Sequence, residues 1–209
     1  MFLKNLISPK IAGLCGLLAP IIAFTCIGIA IYYSPWFSWT ENWLSDLGGK
    51  VGEKPIWSAR GIASIIFNIG PIIAGAIGIF FALYIMKSNI SNKRLGRLGS
   101  LILLLNMFAL CAIGIFPETT GFPHGLASIT FFFLAPLSLL LIGITLKKFN
   151  LNALGFITII LSIVSFIALP FLFVPRPFGS NAIVEMFPAV SMSAFAIIFG
   201  IRILKGFEL

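Results

Sequence analysis

"GIASIIFNIGPIIAGAIGIFFALYIM", residues 61–86, runs for 26 positions without one Asp, Glu, Lys or Arg. An α-helix rises about 1.5 Å per residue, so this run reaches about 39 Å, more than the ~30 Å of a bilayer's hydrocarbon core. Backbone groups in lipid must bond within their own segment, and the run shows none of the apolar–polar alternation of a barrel strand. The stretch therefore predicts a membrane-spanning helix.

The same signature recurs on both sides of this stretch. Six spans are expected: Ile11–Tyr33, Gly61–Met86, Leu98–Phe116, Leu126–Leu146, Leu151–Val174 and Ala182–Ile201. With 59% hydrophobic and only 10% charged residues, the 209-residue chain has no composition left for a soluble domain. The fold class is an all-α integral membrane protein, one six-transmembrane helical bundle over residues 1–209. The first apolar segment, behind Lys4 and Lys10, is too long for a signal-peptide core and lacks a small-residue cleavage site, so it counts as a span. Cys15, Cys26 and Cys111 all fall inside spans, and an odd number in apolar surroundings reads as packing.

The net charge of +8 invites a nucleic-acid reading, which its distribution excludes, because the basic residues sit at span ends. One side collects ten, Lys4, Lys10, Lys87, Lys93, Arg94, Arg97, Lys147, Lys148, Arg202 and Lys205, against the single acid Glu208. The other holds four, Lys50, Lys54, Arg60 and Arg176, against Glu41, Asp46, Glu53, Glu118 and Glu185. The positive-inside bias then places both termini in the cytoplasm of a multi-pass plasma-membrane protein.

A faint repeat runs through the spans. "GIASIIF" (61–67) opens the second and "GLASITF" (125–131) the fourth, while the odd spans each meet a proline, Pro35, Pro117 and Pro175. Three helical hairpins are one reading of it; chance matches among Ile, Ala, Gly and Phe are the other.

Nearly every side chain capable of chemistry falls on the non-cytoplasmic side. In "FSWTENWLSDLGG" (37–49), Ser38 and Glu41 have capping-box spacing and Gly48-Gly49 offers a stop, which predicts a short interfacial helix after the first span. Trp36, Trp39, Trp43 and Leu47 would share one stripe, and Asn42, Ser45 and Asp46 another. All four tryptophans, Trp57 included, lie on this side, where an amphipathic ring suits the headgroup region. The later loops add Glu118 and the one histidine, His124, then Arg176 and Glu185. In a six-helix bundle these loops converge, so Asp46, Glu118, His124, Arg60, Arg176 and Glu185 can share a pocket. Ion pairing of Asp46 or Glu185 with Arg60 or Arg176 would equally account for charges near span ends. Asn68 and Asn106, inside spans, call for interhelical hydrogen bonds.

Three chemistries fit this residue list unequally. Zinc hydrolysis would rest on His124 plus carboxylates, an unusual ligand set. A serine nucleophile would be Ser45, with His124 as base and Asp46 or Glu118 orienting it, though no G-x-S-x-G elbow supports it. His124 with a carboxylate, as general base on a lipid, asks least. Phosphate-binding glycine loops, CxxC pairs and dinucleotide fingerprints are missing, and no cofactor is identified.

On "NWLSDLGG", Phe67-Asn68, "GIFPE" and "PHG", the chain resembles the DUF998 membrane family, six-span proteins of archaea and bacteria. The resemblance implies a six-span fold and a signature made of Ser45, Asp46 and His124, with Glu118 and Asn68 as further positions; it names no reaction. More distantly, the Ser-Asp pair before the second span looks like the Frag1/DRAM/Sfk1 group, some of whose members are linked to lipid remodelling. The resulting expectation is an outward-facing pocket that binds, and processes, a lipid headgroup or acyl ester. His124, Asp46, Ser45 and Glu118 would be catalytic, and Asn42, Trp43, Arg60, Asn68, Arg176 and Glu185 would bind. The partners expected are membrane lipids, with further copies of the chain or other membrane proteins as alternatives. A small-solute or proton-coupled carrier and a non-catalytic accessory subunit are the rival functions.

Overall fold

A computed structural model describes residues 8–174 and 179–207. Arg176, Pro175, Lys4 and Glu208, singled out above, lie outside them. The described chain forms six long helices: α1 Pro9–Tyr32, α2 Ile62–Lys87, α3 Arg94–Ile115, α4 Phe122–Lys148, α5 Asn152–Ala168 and α6 Ala182–Leu204. A 3-10 turn, Leu169–Phe173, prolongs α5. All six are long and apolar enough to cross a bilayer, and the protein is an all-α, multi-pass membrane protein.

The ends of the helices follow local chemistry. Ser8 caps α1, its Oγ accepting from the Ile11 amide at 3.3 Å, and Pro9 occupies the first turn, where its missing N–H costs nothing. Lys87 closes α2, Lys147 and Lys148 close α4, and Arg202 lies in the last turn of α6. These cations meet the negative ends of three helix dipoles. They also gather with Lys10, Lys93, Arg94 and Arg97 at one end of the bundle, called here the basic end. The long 33–61 segment and the 116–121 loop form the other, the loop end.

Each helix packs antiparallel against the next, and α6 returns to α1, closing a ring. Contacts between successive hairpins are as extensive as those within them, so the chain does not divide into three separate units. The ring closes on small residues: a Cβ on Gly200 would stand 2.8 Å from the Gly13 carbonyl oxygen, so α1 and α6 meet backbone to backbone. α4 and α5 meet likewise at Gly143 and Gly155.

Among the described residues three apolar clusters pack the interior, one of them formed by Ala109, Phe131, Phe132 and Leu169. Toward the basic end, Phe81, Ile85, Leu103, Leu139, Phe195 and Phe199 form a packed layer. At the loop end, Leu44 and Leu47 enter the bundle against Ala30, Phe67 and Ala182. Between them lies a cavity.

The expected interfacial helix takes another form. Ser38 does not cap: its hydroxyl pairs with Thr40, and its own amide donates to Asn42 Oδ1 at 2.9 Å. Residues 36–41 make turns, and the helix begins later, as one 3-10 turn, Ser45–Gly48. That turn is buried, with Leu47 fully enclosed, so it plugs the bundle instead of lying across the headgroups.

Candidate functional site

The 33–61 segment is fixed from three sides. From below, Asn68 of α2 donates Nδ2–H to the Gly48 carbonyl at 3.3 Å. Across the bundle, Glu185 in the first turn of α6 accepts the Leu44 amide at 2.5 Å, and the Ser45 hydroxyl lies 3.5 Å from its other oxygen. From the side, Thr119 donates its hydroxyl to the Ile56 carbonyl at 2.9 Å. Within the segment, Asn42 donates to Asp46 Oδ2 at 2.9 Å, and Lys50 approaches the same oxygen at 3.3 Å. Asp46, only 3% exposed, thus finds these partners within its own loop.

Arg60 is committed elsewhere. Its guanidinium makes two bonds to Glu53, at 3.0 and 2.9 Å, and stacks 3.9 Å over Trp36. These bonds from Arg60, with that from the Lys50 amide, hold the Glu53 carboxyl down at about 2. Arg60 therefore pairs with Glu53, and not with Asp46 or Glu185. The Glu118 carboxyl behaves oppositely: burial pushes it up to about 7, opposed by the Ser45 hydroxyl and assisted by the charge of Asp46. One of its oxygens is buried with no partner among the described residues.

His124 stands in the first turn of α4, just after the tight turn at Gly121, whose φ of +69° suits glycine. The sequence assigns its orientation to Asp46 or Glu118. In the structure its Nδ1 instead lies 2.8 Å from the Phe116 carbonyl, and its Nε2 lies 3.1 Å from the Ser128 hydroxyl. A carbonyl only accepts, so Nδ1 carries the proton and, in the neutral ring, Nε2 accepts from Ser128.

The cavity joins these groups. It is partly open and is walled by α1, α2, α3, α4 and α6. From Phe67 to Phe81 along α2 it extends about 21 Å, some two-thirds of the hydrocarbon thickness. Phe81, Leu103 and Met192 make its floor, and Leu44 with Ser45 its roof. Pro20 and Pro71 both face it, and each deprives the carbonyl four residues earlier of its usual N–H partner. Near the roof the polar groups are Ser45, His124, Ser128 and Glu185; deeper down the wall is almost wholly apolar.

Of the residues selected from the sequence, Ser45, His124 and Glu185 thus share one wall. Asp46 and Glu118 stand behind it, and Asn42 and Asn68 hold the loop in place. Trp43 is half-buried away from the wall. Arg176 is outside the described residues. Among those described, no three His, Cys, Asp or Glu side chains converge to hold a metal ion. Sequence reasoning passed over Ser128, although H-x-x-x-S on a helix places a hydroxyl one turn from an imidazole.

No curated protein and no solved structure matches the chain significantly. A family model described as "protein of unknown function (DUF998)" matches residues 17–202, nearly the whole bundle. The chain belongs to the DUF998 family.

Proposed function

We propose that the protein binds a membrane lipid inside the bundle, its chain along the apolar wall and its polar group under the roof at Ser45, His124, Ser128 and Glu185. The observation that carries this reading is the division of the cavity: a long apolar shaft with hydrogen-bonding groups gathered at one end, the distribution an amphiphile requires. No Lys or Arg is among the described lining residues, and the nearest arginine along the segment is spent on Glu53. A neutral polar group, an ester or hydroxyl, therefore suits the roof better than a phosphate. Among the described lining residues the deep wall carries no ionisable group beyond Cys15, which favours a binding site over a proton-coupled path.

Native mass spectrometry of the detergent-solubilised protein tests this. The expected result is one retained lipid per chain, lost in Ala189→Trp, which fills the shaft, and kept in Ile163→Trp, on the outward face of α5. A lipid-free wild type, or equal retention in Ala189→Trp, would sink the reading.

A further inference from the structure

Hydroxyls on these helices mostly turn back on their own backbone. Ser100, Thr130, Thr145, Thr158 and Ser165 each donate to the carbonyl four residues earlier, a usual way for a helical hydroxyl to be satisfied. Ser128 departs from this habit. Its Oγ meets His124 Nε2 at 3.1 Å, and that ring is held from behind by the Phe116 carbonyl at 2.8 Å on Nδ1. Hydroxyl, imidazole and an acceptor for the far ring nitrogen are the three parts of an activated nucleophile, here with a carbonyl where a carboxylate is commoner. Ser128 and His124 both line the cavity, at the end where the lipid's polar group would sit. Ser45, the nucleophile suggested by sequence, faces the Glu185 carboxylate instead of the imidazole.

We propose that Ser128 and His124 form a nucleophile–base pair that hydrolyses a carboxylic ester of the bound lipid; this rests on the lipid-binding reading above. Ser128 Oγ attacks the ester carbonyl carbon while its proton passes to His124 Nε2. The imidazolium so formed keeps its Nδ1–H on the Phe116 carbonyl. Collapse of the tetrahedral intermediate breaks the bond to the alkoxy oxygen, which takes the proton from Nε2 and leaves as an alcohol. Water then attacks the acyl-Ser128 ester, giving its proton to Nε2. The acid departs, and the proton returns to Ser128 Oγ. No oxidant, metal or second substrate beyond water is needed.

The test uses the full chain in phosphatidylcholine nanodiscs, treated with a long-chain alkyl fluorophosphonate, which phosphonylates an activated serine with loss of fluoride. The modified residue is located by peptide mass spectrometry, and retained lipid is read on the same samples. The expected results are a label on Ser128 in the wild type, none in Ser128→Ala, and labelling at least about 100-fold slower in His124→Gln, as loss of a general base implies. An unlabelled Ser128 in the wild type, or an undiminished rate in His124→Gln, overturns the pair, and the wild-type result stands without any variant having to fold. Retained lipid with an unreactive Ser128 removes the ester chemistry alone, whereas absence of lipid from the wild type removes the binding reading beneath it.

Discussion

Asn68 and Asn106 look alike in the sequence, single amides in apolar spans, yet their surroundings divide them. Asn68 supports the Gly48 carbonyl, whereas both amide atoms of Asn106 are buried with no partner among the described residues. Asn68→Ala should therefore cost about 1–3 kcal/mol, and Asn106→Leu should be neutral or stabilising; thermal unfolding in detergent reads both. Glu118 supplies a pH signature. Its carboxyl titrates at about 7 in the fold against an ordinary 4.5, so the folded state holds a proton that the unfolded state has released between those values. The contribution is complete below 4.5 and is lost as pH rises through 7. The wild type should lose stability over that window, and Glu118→Gln should flatten the profile. Residue identity in the sequence indicated most of the polar wall, Ser45, His124 and Glu185, because rare polar groups in a greasy chain stand out. It did not indicate that Arg60 is spent on Glu53 or that Ser128 is turned toward the ring, since both depend on side-chain direction.

Among the elements, hydropathy located all six helices but not their extent. α3 begins at Arg94 and not Leu98, because Arg94 and Arg97 continue the backbone ladder past the apolar stretch, where hydropathy is blind. The short turn after α1 was misplaced for another reason: capping-box spacing at Ser38 competes with Asn42, whose side chain takes the Ser38 amide. Burying Leu47 then fixes the turn, at about 2 kcal/mol relative to water. At the α1–α6 seam, Gly200→Val should push the two helices apart, since its Cβ would press on the Gly13 carbonyl. A lowered melting temperature and loss of retained lipid are expected, because residues of both helices line the cavity.

For the whole molecule, the charge asymmetry makes the orientation testable. Val51 is 68% exposed at the loop end, and Lys93 lies in the turn between α2 and α3 at the basic end. In a background lacking the native cysteines, Val51→Cys should react with a membrane-impermeant maleimide on intact cells, and Lys93→Cys only after permeabilisation. The opposite pattern would reverse the assignment of the cavity's polar end.

The bond from the Leu44 amide to Glu185 ties the segment after α1 to α6, 141 residues later in the chain. During biosynthesis the first five helices can enter the bilayer while this amide still lacks its acceptor and the shaft its sixth-helix wall. The roof is set only when residue 185 leaves the ribosome and its helix docks beside the first. A nascent chain halted earlier would present an open, unlatched vestibule, so a roofed chamber exists only once α6 has docked.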